Sequence, residues 1–182
     1  MDPFLTSLRV TEKAEGGWSN DPNDPGGATM VGVTLRAWRA FMHDESLSPE
    51  QLRAMTEDAR KVFYRVMYWR PMQCDSLPTG INLMAFDTAV NCGVHASSII
   101  LQTAAGMPVG QIDGDVGPKT IAWVKKVKVA DLLIQFNKLR LSYYQSLPGF
   151  PRYGKGWTAR SQRMLTISGA MLENAASSKP TA

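Results

Sequence analysis

Glu15-Gly-Gly-Trp-Ser-Asn-Asp-Pro-Asn-Asp-Pro-Gly-Gly-Ala-Thr29, continuing through Met-Val-Gly-Val-Thr34, separates one helical segment from all the others. The residues before Glu15 read as a helix. Asp2 can cap it, Pro3 suits its first turn, and Phe4, Leu5 and Leu8 share one side. Gly16 and Gly17 are expected to stop it by taking the left-handed conformation. Two turns rich in Gly and Pro then carry Asp21 and Asp24, and the hydroxyl of Thr29 follows.

This order of groups has chemical content. A carboxyl near the negative end of a helix dipole, partly buried in a cleft, holds its proton more readily than one in water. A protonated glutamic acid can give that proton to a leaving oxygen. A second carboxylate on a restrained loop can stay ionised, and two carboxyls in unlike environments form the pattern of glycoside hydrolysis. The bland alternative uses the same residues: a capped surface helix followed by an acidic turn, since Asp, Asn, Gly and Pro are turn formers.

Three runs carry a family resemblance: Glu15-Gly-Gly-Trp18, then Asp24-Pro-Gly-Gly-Ala-Thr29, then Gly32-Val-Thr34. Together they resemble the opening of glycoside hydrolase family 108, the bacterial and phage N-acetylmuramidases that include endolysins and secretion activator proteins. That family commonly has Tyr after Glu-Gly-Gly. Trp18 keeps a ring for sugar stacking and changes its polar tip. The order Glu15, Asp24, Thr29 also resembles, more loosely, that of phage-type lysozymes.

The chain has 182 residues, enough for one substantial domain or a domain with a small appendage. Its 44% apolar and 20% charged content is that of a globular protein. A net charge of +4 favours anionic partners such as wall polymers. Lys125-Lys126-Val-Lys128 is too short a basic run to argue for nucleic acid and fits a helix end. The cysteines are Cys74 and Cys92; a pair makes no disulfide framework and no metal set, and whether the two bridge is left open. Cys92 reads as a buried thiol. His95 reads as a cap-region histidine. No cofactor and no metal are expected. The N-terminus shows no signal peptide and no stretch long enough to insert in a membrane. The expectation is therefore synthesis in the cytoplasm, with action on the wall or periplasm after holin-type or dedicated release.

Further along, Thr34 can cap a helix through Leu35, Trp38 and Phe41. Ser48-Pro-Glu-Gln51 is a capping box, and Thr56 caps a helix through Trp69 that Pro71 ends. Ile81 to Asn91 is apolar on more than one face and reads as the central buried helix. Asp87 and Asn91, four apart on it, either tie loops to the helix or line the cleft. Phe86-Asp-Thr-Ala-Val-Asn-Cys-Gly93 extends the family resemblance. Asp113-Gly-Asp-Val-Gly-Pro-Lys-Thr120 resembles the turn of small peptidoglycan-binding helical modules, with Pro118 opening a helix. Asp131 to Leu147 is a long amphipathic helix. Arg152 to Arg160 reads as an aromatic, basic loop before a last helix. Trp157 and Arg160 bind sugar or peptide carboxylates, or else pin the last helix to the core. A short hairpin around Val31-Gly-Val33 is the main β element expected.

The expected architecture is thus all-α in the main and lysozyme-like, with residues 1–95 as the catalytic part. Residues 96–176 form a peptidoglycan-binding-like part packed on it as one body, and 177–182 are a tail. The resemblance implies a monomeric N-acetylmuramidase acting on bacterial peptidoglycan. Its catalytic residues would be Glu15, Asp24 and Thr29. Trp18, Asp21, Asp87, Asn91, Trp157 and Arg160 would lie along the substrate. The rival readings are a lytic transglycosylase giving 1,6-anhydro products, a non-catalytic wall-binding protein and, more distantly, a nucleic-acid-binding helical protein.

Overall fold

The computed structural model describes residues 2–13, 15–20 and 27–177. Among the described residues the fold is mainly α: nine α-helices and three strands of two residues each. Packing divides the chain into two compact units, Met1–Met67 and Tyr68–Ala182. This division falls before the central helix of the second unit. The functional division expected from motifs falls after it.

In the first unit, α1 (Pro3–Glu12) starts where the Asp2 carboxylate accepts the Phe4 N–H at 2.9 Å. The other Asp2 oxygen pairs with Arg65 at 2.6 Å, and that guanidinium lies 4.3 Å over the Phe4 ring. Glu12, the last residue of α1, pairs with Arg60 at 2.6 Å, 48 residues further along the chain. Three strands follow: β1 (Trp18–Ser19), β2 (Thr29–Met30) and β3 (Val33–Thr34). They form one antiparallel sheet in chain order, with Trp18 opposite Met30, Ser19 opposite Thr29, and Met30 opposite Val33. The hairpin sits where the Val31-Gly-Val33 reading puts it.

Local chemistry sets the next three helix starts. Thr34 caps α2 (Leu35–Met42) by accepting the Ala37 N–H at 3.2 Å. Both bonds of the Ser48/Gln51 capping box open α3 (Pro49–Arg53). Thr56 caps α4 (Glu57–Tyr64) through the Ala59 N–H. The core between them holds Phe4, Leu8, Val33, Leu52, Phe63 and Tyr64. Phe63 makes ring contacts with Trp38 at 5.9 Å and Phe41 at 5.4 Å. The α-helix does not run on to Trp69; Arg65–Trp69 is a π-helical turn.

The second unit is built on α5 (Ile81–Cys92), in which every residue from Ile81 to Ala89 is buried. Such a helix needs partners on all sides. They are α6 (Val94–Ala104), α8 (Val129–Ser146) and α9 (Phe150–Ser177), while α7 (Pro118–Val124) packs on α6. Gly80 precedes α5 with φ +87°, and a Cβ there would stand 2.7 Å from the Ser168 carbonyl oxygen of α9. Gly80→Ala should therefore cost roughly 1–3 kcal/mol from backbone strain alone, read as a lowered denaturation midpoint at unchanged slope.

One expectation is corrected. Arg152 to Arg160 is not a loop; α9 already begins at Phe150. Pro151 stands in its first turn, where a missing N–H costs nothing. Gly154 admits the Phe150 ring, whose nearest carbon would lie 2.7 Å from a Cβ there. Ser177, expected in the tail, closes α9, and residues 178–182 lie outside the described residues. No helix among the described residues is long and apolar enough to cross a membrane.

Candidate active site

The helix that leads to Glu15 ends earlier than expected. Glu12 is its last residue, and Lys13 closes it in the right-handed region at φ −63°. Glu15 lies just beyond, its N–H bonded to the Glu12 carbonyl at 3.0 Å. Gly16 and Gly17 are not in the left-handed conformation; the chain leaves the helix through an ordinary turn. Their part is to lead the chain into β1, where the Gly17 carbonyl accepts the Val31 N–H at 3.3 Å.

The sheet folds back on the acid. Its β2–β3 connection is the two residues Val31 and Gly32, with φ +47° and +78°. Two successive positive φ values give the turn whose twist suits a tight hairpin. A Cβ on Gly32 would lie 3.0 Å from Glu15 Cγ, 3.1 Å from its Cδ and 2.7 Å from the Tyr64 hydroxyl. Only a hydrogen fits, so the tip of the hairpin rests directly against the half-buried Glu15 carboxyl stem. Tyr64 is fully buried and donates to the Val31 carbonyl at 2.7 Å. Of these residues, Gly32 was readable as a hairpin turn. Tyr64 was not, because nothing local links it to a turn 33 residues away.

Thr29 is half-buried, and its hydroxyl donates to the Gly27 carbonyl at 3.3 Å, a contact within its own loop. Trp18 is half-buried, with the Arg53 guanidinium 5.6 Å from its ring centroid. Asp21 and Asp24 lie outside the described residues.

Asp87, Asn91, Trp157 and Arg160 belong to the second unit. There the first, second and last join Arg140 and Tyr144 in one polar cluster. The Asp87 carboxylate is completely buried. It accepts from Arg140 at 2.6 Å and from Arg160 at 2.8 Å, so it ties α5 to α8 and α9. Arg140 also donates to the Tyr144 hydroxyl at 2.9 and 2.7 Å. With its amide oxygen turned to Arg160, Asn91 accepts from that guanidinium at 2.8 Å and its amide donates to Tyr144 at 3.3 Å. The reverse orientation would point an NH2 group at donors. Burial pushes the Asp87 carboxyl up, but the two guanidinium groups outweigh it and hold the group below the usual carboxylate range. The use seen here is structural. Trp157 packs against Tyr144 at 5.3 Å and the half-exposed Tyr153 at 5.9 Å.

The Asp113–Thr120 turn is closed by one buried side chain. Gln102 donates to the Asp113 carboxylate at 2.6 Å, the Asp115 carbonyl at 2.9 Å and the Thr120 hydroxyl at 3.1 Å, and accepts the Gly114 N–H at 2.9 Å. A groove of about 540 Å³ lies beside it, lined by Met107, Gln111, Asp115 and Lys119 among others. His95, on α6, lies against Gly114, where a side chain would collide with the imidazole. Both cysteines are free. Cys74 is buried, whereas Cys92 is only half-buried, because its end of α5 leaves the core. No group of three or more His, Cys, Asp or Glu able to hold a metal occurs among the described residues.

A mainly α chain with a carboxyl set against a hairpin has the makings of a glycosidase, and the relatives agree. The model of the family Glycosyl hydrolase 108 matches residues 8–93, a span that contains Glu15 and the whole hairpin. The solved structure of Brucella abortus SagA is 31% identical, covers 95% of this chain and 97% of its own, and superposes with a TM-score of 0.86. No curated protein matches the chain. The chain is a glycoside hydrolase. It belongs to the glycosyl hydrolase 108 family.

Proposed function

We propose that the protein is an N-acetylmuramidase that hydrolyses the glycan strand of peptidoglycan between N-acetylmuramic acid and N-acetylglucosamine. The observation that carries the reading is the Glu15 carboxyl, held just past the end of α1 against the tip of the hairpin in a glycoside hydrolase. Glu15 gives its proton to the glycosidic oxygen as the C1–O bond breaks. Asp24 is the first choice, and Asp21 the second, to orient the attacking water or to stabilise the oxocarbenium-like transition state. A separation of about 6.5–9.5 Å from Glu15 would make the reaction inverting, and about 5–5.5 Å retaining. Thr29 holds the water or the loop, and Trp18 offers a ring to a sugar face. The groove beside the Asp113–Thr120 turn, together with the net charge of +4, would keep the enzyme on the anionic wall. The chain acts as a monomer and reaches the wall by holin-type or dedicated release.

Mass spectrometry of the products from purified peptidoglycan tests this reading. New reducing N-acetylmuramic acid ends are expected. Anhydro ends would replace it with a transglycosylase. No fragments from any of several wall types would leave only a wall-binding role.

A further inference from the structure

We propose that Tyr64 is a positioning residue for Glu15, acting through the Val31-Gly32 turn; this rests on Glu15 being the acid. Val31 is β-branched, yet its φ is +47°. Such a residue does not stay in the left-handed region unless its surroundings hold it there. Two bonds do so. Its N–H reaches the Gly17 carbonyl at 3.3 Å, and its carbonyl receives the Tyr64 hydroxyl at 2.7 Å. Tyr64 is in turn fixed: it is fully buried on α4, with the Phe63 ring 5.6 Å away. The next residue in the turn, Gly32, is the one that touches the Glu15 stem. The connection therefore runs from α4 through one hydroxyl to a strained residue, and from its neighbour to the acid.

Without that hydroxyl, Val31 is free to return to negative φ. The hairpin tip then leaves Glu15, and the carboxyl loses the wall that fixes its rotamer. Misplacing a reacting group by about 1 Å can cost about 100-fold in rate.

The test uses the full chain and soluble peptidoglycan fragments. Tyr64→Phe removes one oxygen and keeps the ring. Its kcat should fall about 10- to 100-fold with KM within about twofold. Adding Val31→Asn should restore most of the loss, because asparagine accepts the left-handed conformation without a clamp. A tyrosine that merely fills the core would not be rescued by changing the turn. Wild-type kcat in Tyr64→Phe, or a loss that Val31→Asn leaves unrepaired in a folded protein, overturns the proposal. Gly32→Ala gives a second check, since it drives a methyl between the Tyr64 hydroxyl and the Glu15 stem. A folded Gly32→Ala protein should lose at least about tenfold in kcat, and an unchanged kcat there also overturns it. Full activity in Glu15→Gln would overturn the acid assignment together with this proposal. Loss in Glu15→Gln beside an unaffected Tyr64→Phe overturns the positioning role alone.

Discussion

Glu15→Gln should stop glycan cleavage and leave the folded protein intact. Glutamine has the shape of glutamate, so it fits the space that Gly32 leaves without a new clash. It has no acidic proton, and an expelled sugar alkoxide without a proton is a poor leaving group. A positioned general acid contributes about 10²- to 10⁴-fold, so kcat should fall by that range with little change in KM. The release of reducing ends measures it, and thermal unfolding of the same sample verifies the fold. A residual rate within tenfold of wild type would remove Glu15 from the acid role. Asp24→Asn in the same assay separates two chemistries. A hydrolase that needs a second carboxylate loses most of its rate. A transglycosylase, which recruits the muramyl 6-hydroxyl, loses little.

The second large effect is on stability. The Asp87 carboxylate pairs with both Arg140 and Arg160, and both it and Arg140 are fully buried. Removing one partner of a buried ion pair leaves an uncompensated charge at a cost of about 3–5 kcal/mol. Here two guanidinium groups would lose this carboxylate, and Arg140 Nη1 already has no hydrogen-bond acceptor among the described residues. Asp87→Asn should therefore lower the melting temperature by about 6–20 °C, at roughly 2–4 °C per kcal/mol for a chain of this size. A melting point within about 2 °C of wild type would show that the cluster contributes little. The pH dependence gives a second signature. The folded carboxyl titrates below its ordinary range, because Arg140 and Arg160 outweigh the cost of burial. Between its folded and unfolded pKa the unfolded chain binds more protons, so stability rises with pH there. The contribution is complete above the ordinary aspartate value of about 3.9 and disappears as pH falls through the lower folded value. Wild type should lose stability more steeply than Asp87→Asn in that acid window.

Much of this was legible in the sequence wherever the governing chemistry is local. Asp2, Thr34, Ser48 and Thr56 announce their helices because a cap is a contact within three residues. Ile81 to Ala89 announces a buried helix by having no polar face. What depends on distant partners was not legible. Arg152 to Arg160 reads as a loop, yet packing against α8 makes it helix, and at Gly154 the missing side chain is filled by a ring of the same helix. Asp87 and Arg160 could be named, but the second guanidinium on Asp87, that of Arg140, could not, because it lies 53 residues away in the chain. Glu15 could be picked out, although its position past the helix end follows from the turn at Lys13 and Glu15. Asp21 and Asp24 lie outside the described residues.

The buried Cys74 thiol offers a clock for the second unit. It is wholly enclosed and directed at the Asn82 carbonyl of α5, 3.7 Å away. Burial, helped by the nearby Asp75 charge, raises its pKa well above that of an ordinary thiol, so little thiolate exists while the core is shut. An alkylating reagent added to the native protein can therefore consume Cys74 only during moments when the core around it opens. The half-buried Cys92, at the other end of the same helix, supplies the faster reference. The ratio of the two labelling rates would report how often this core breathes, without denaturant and without waiting for an enzymatic assay.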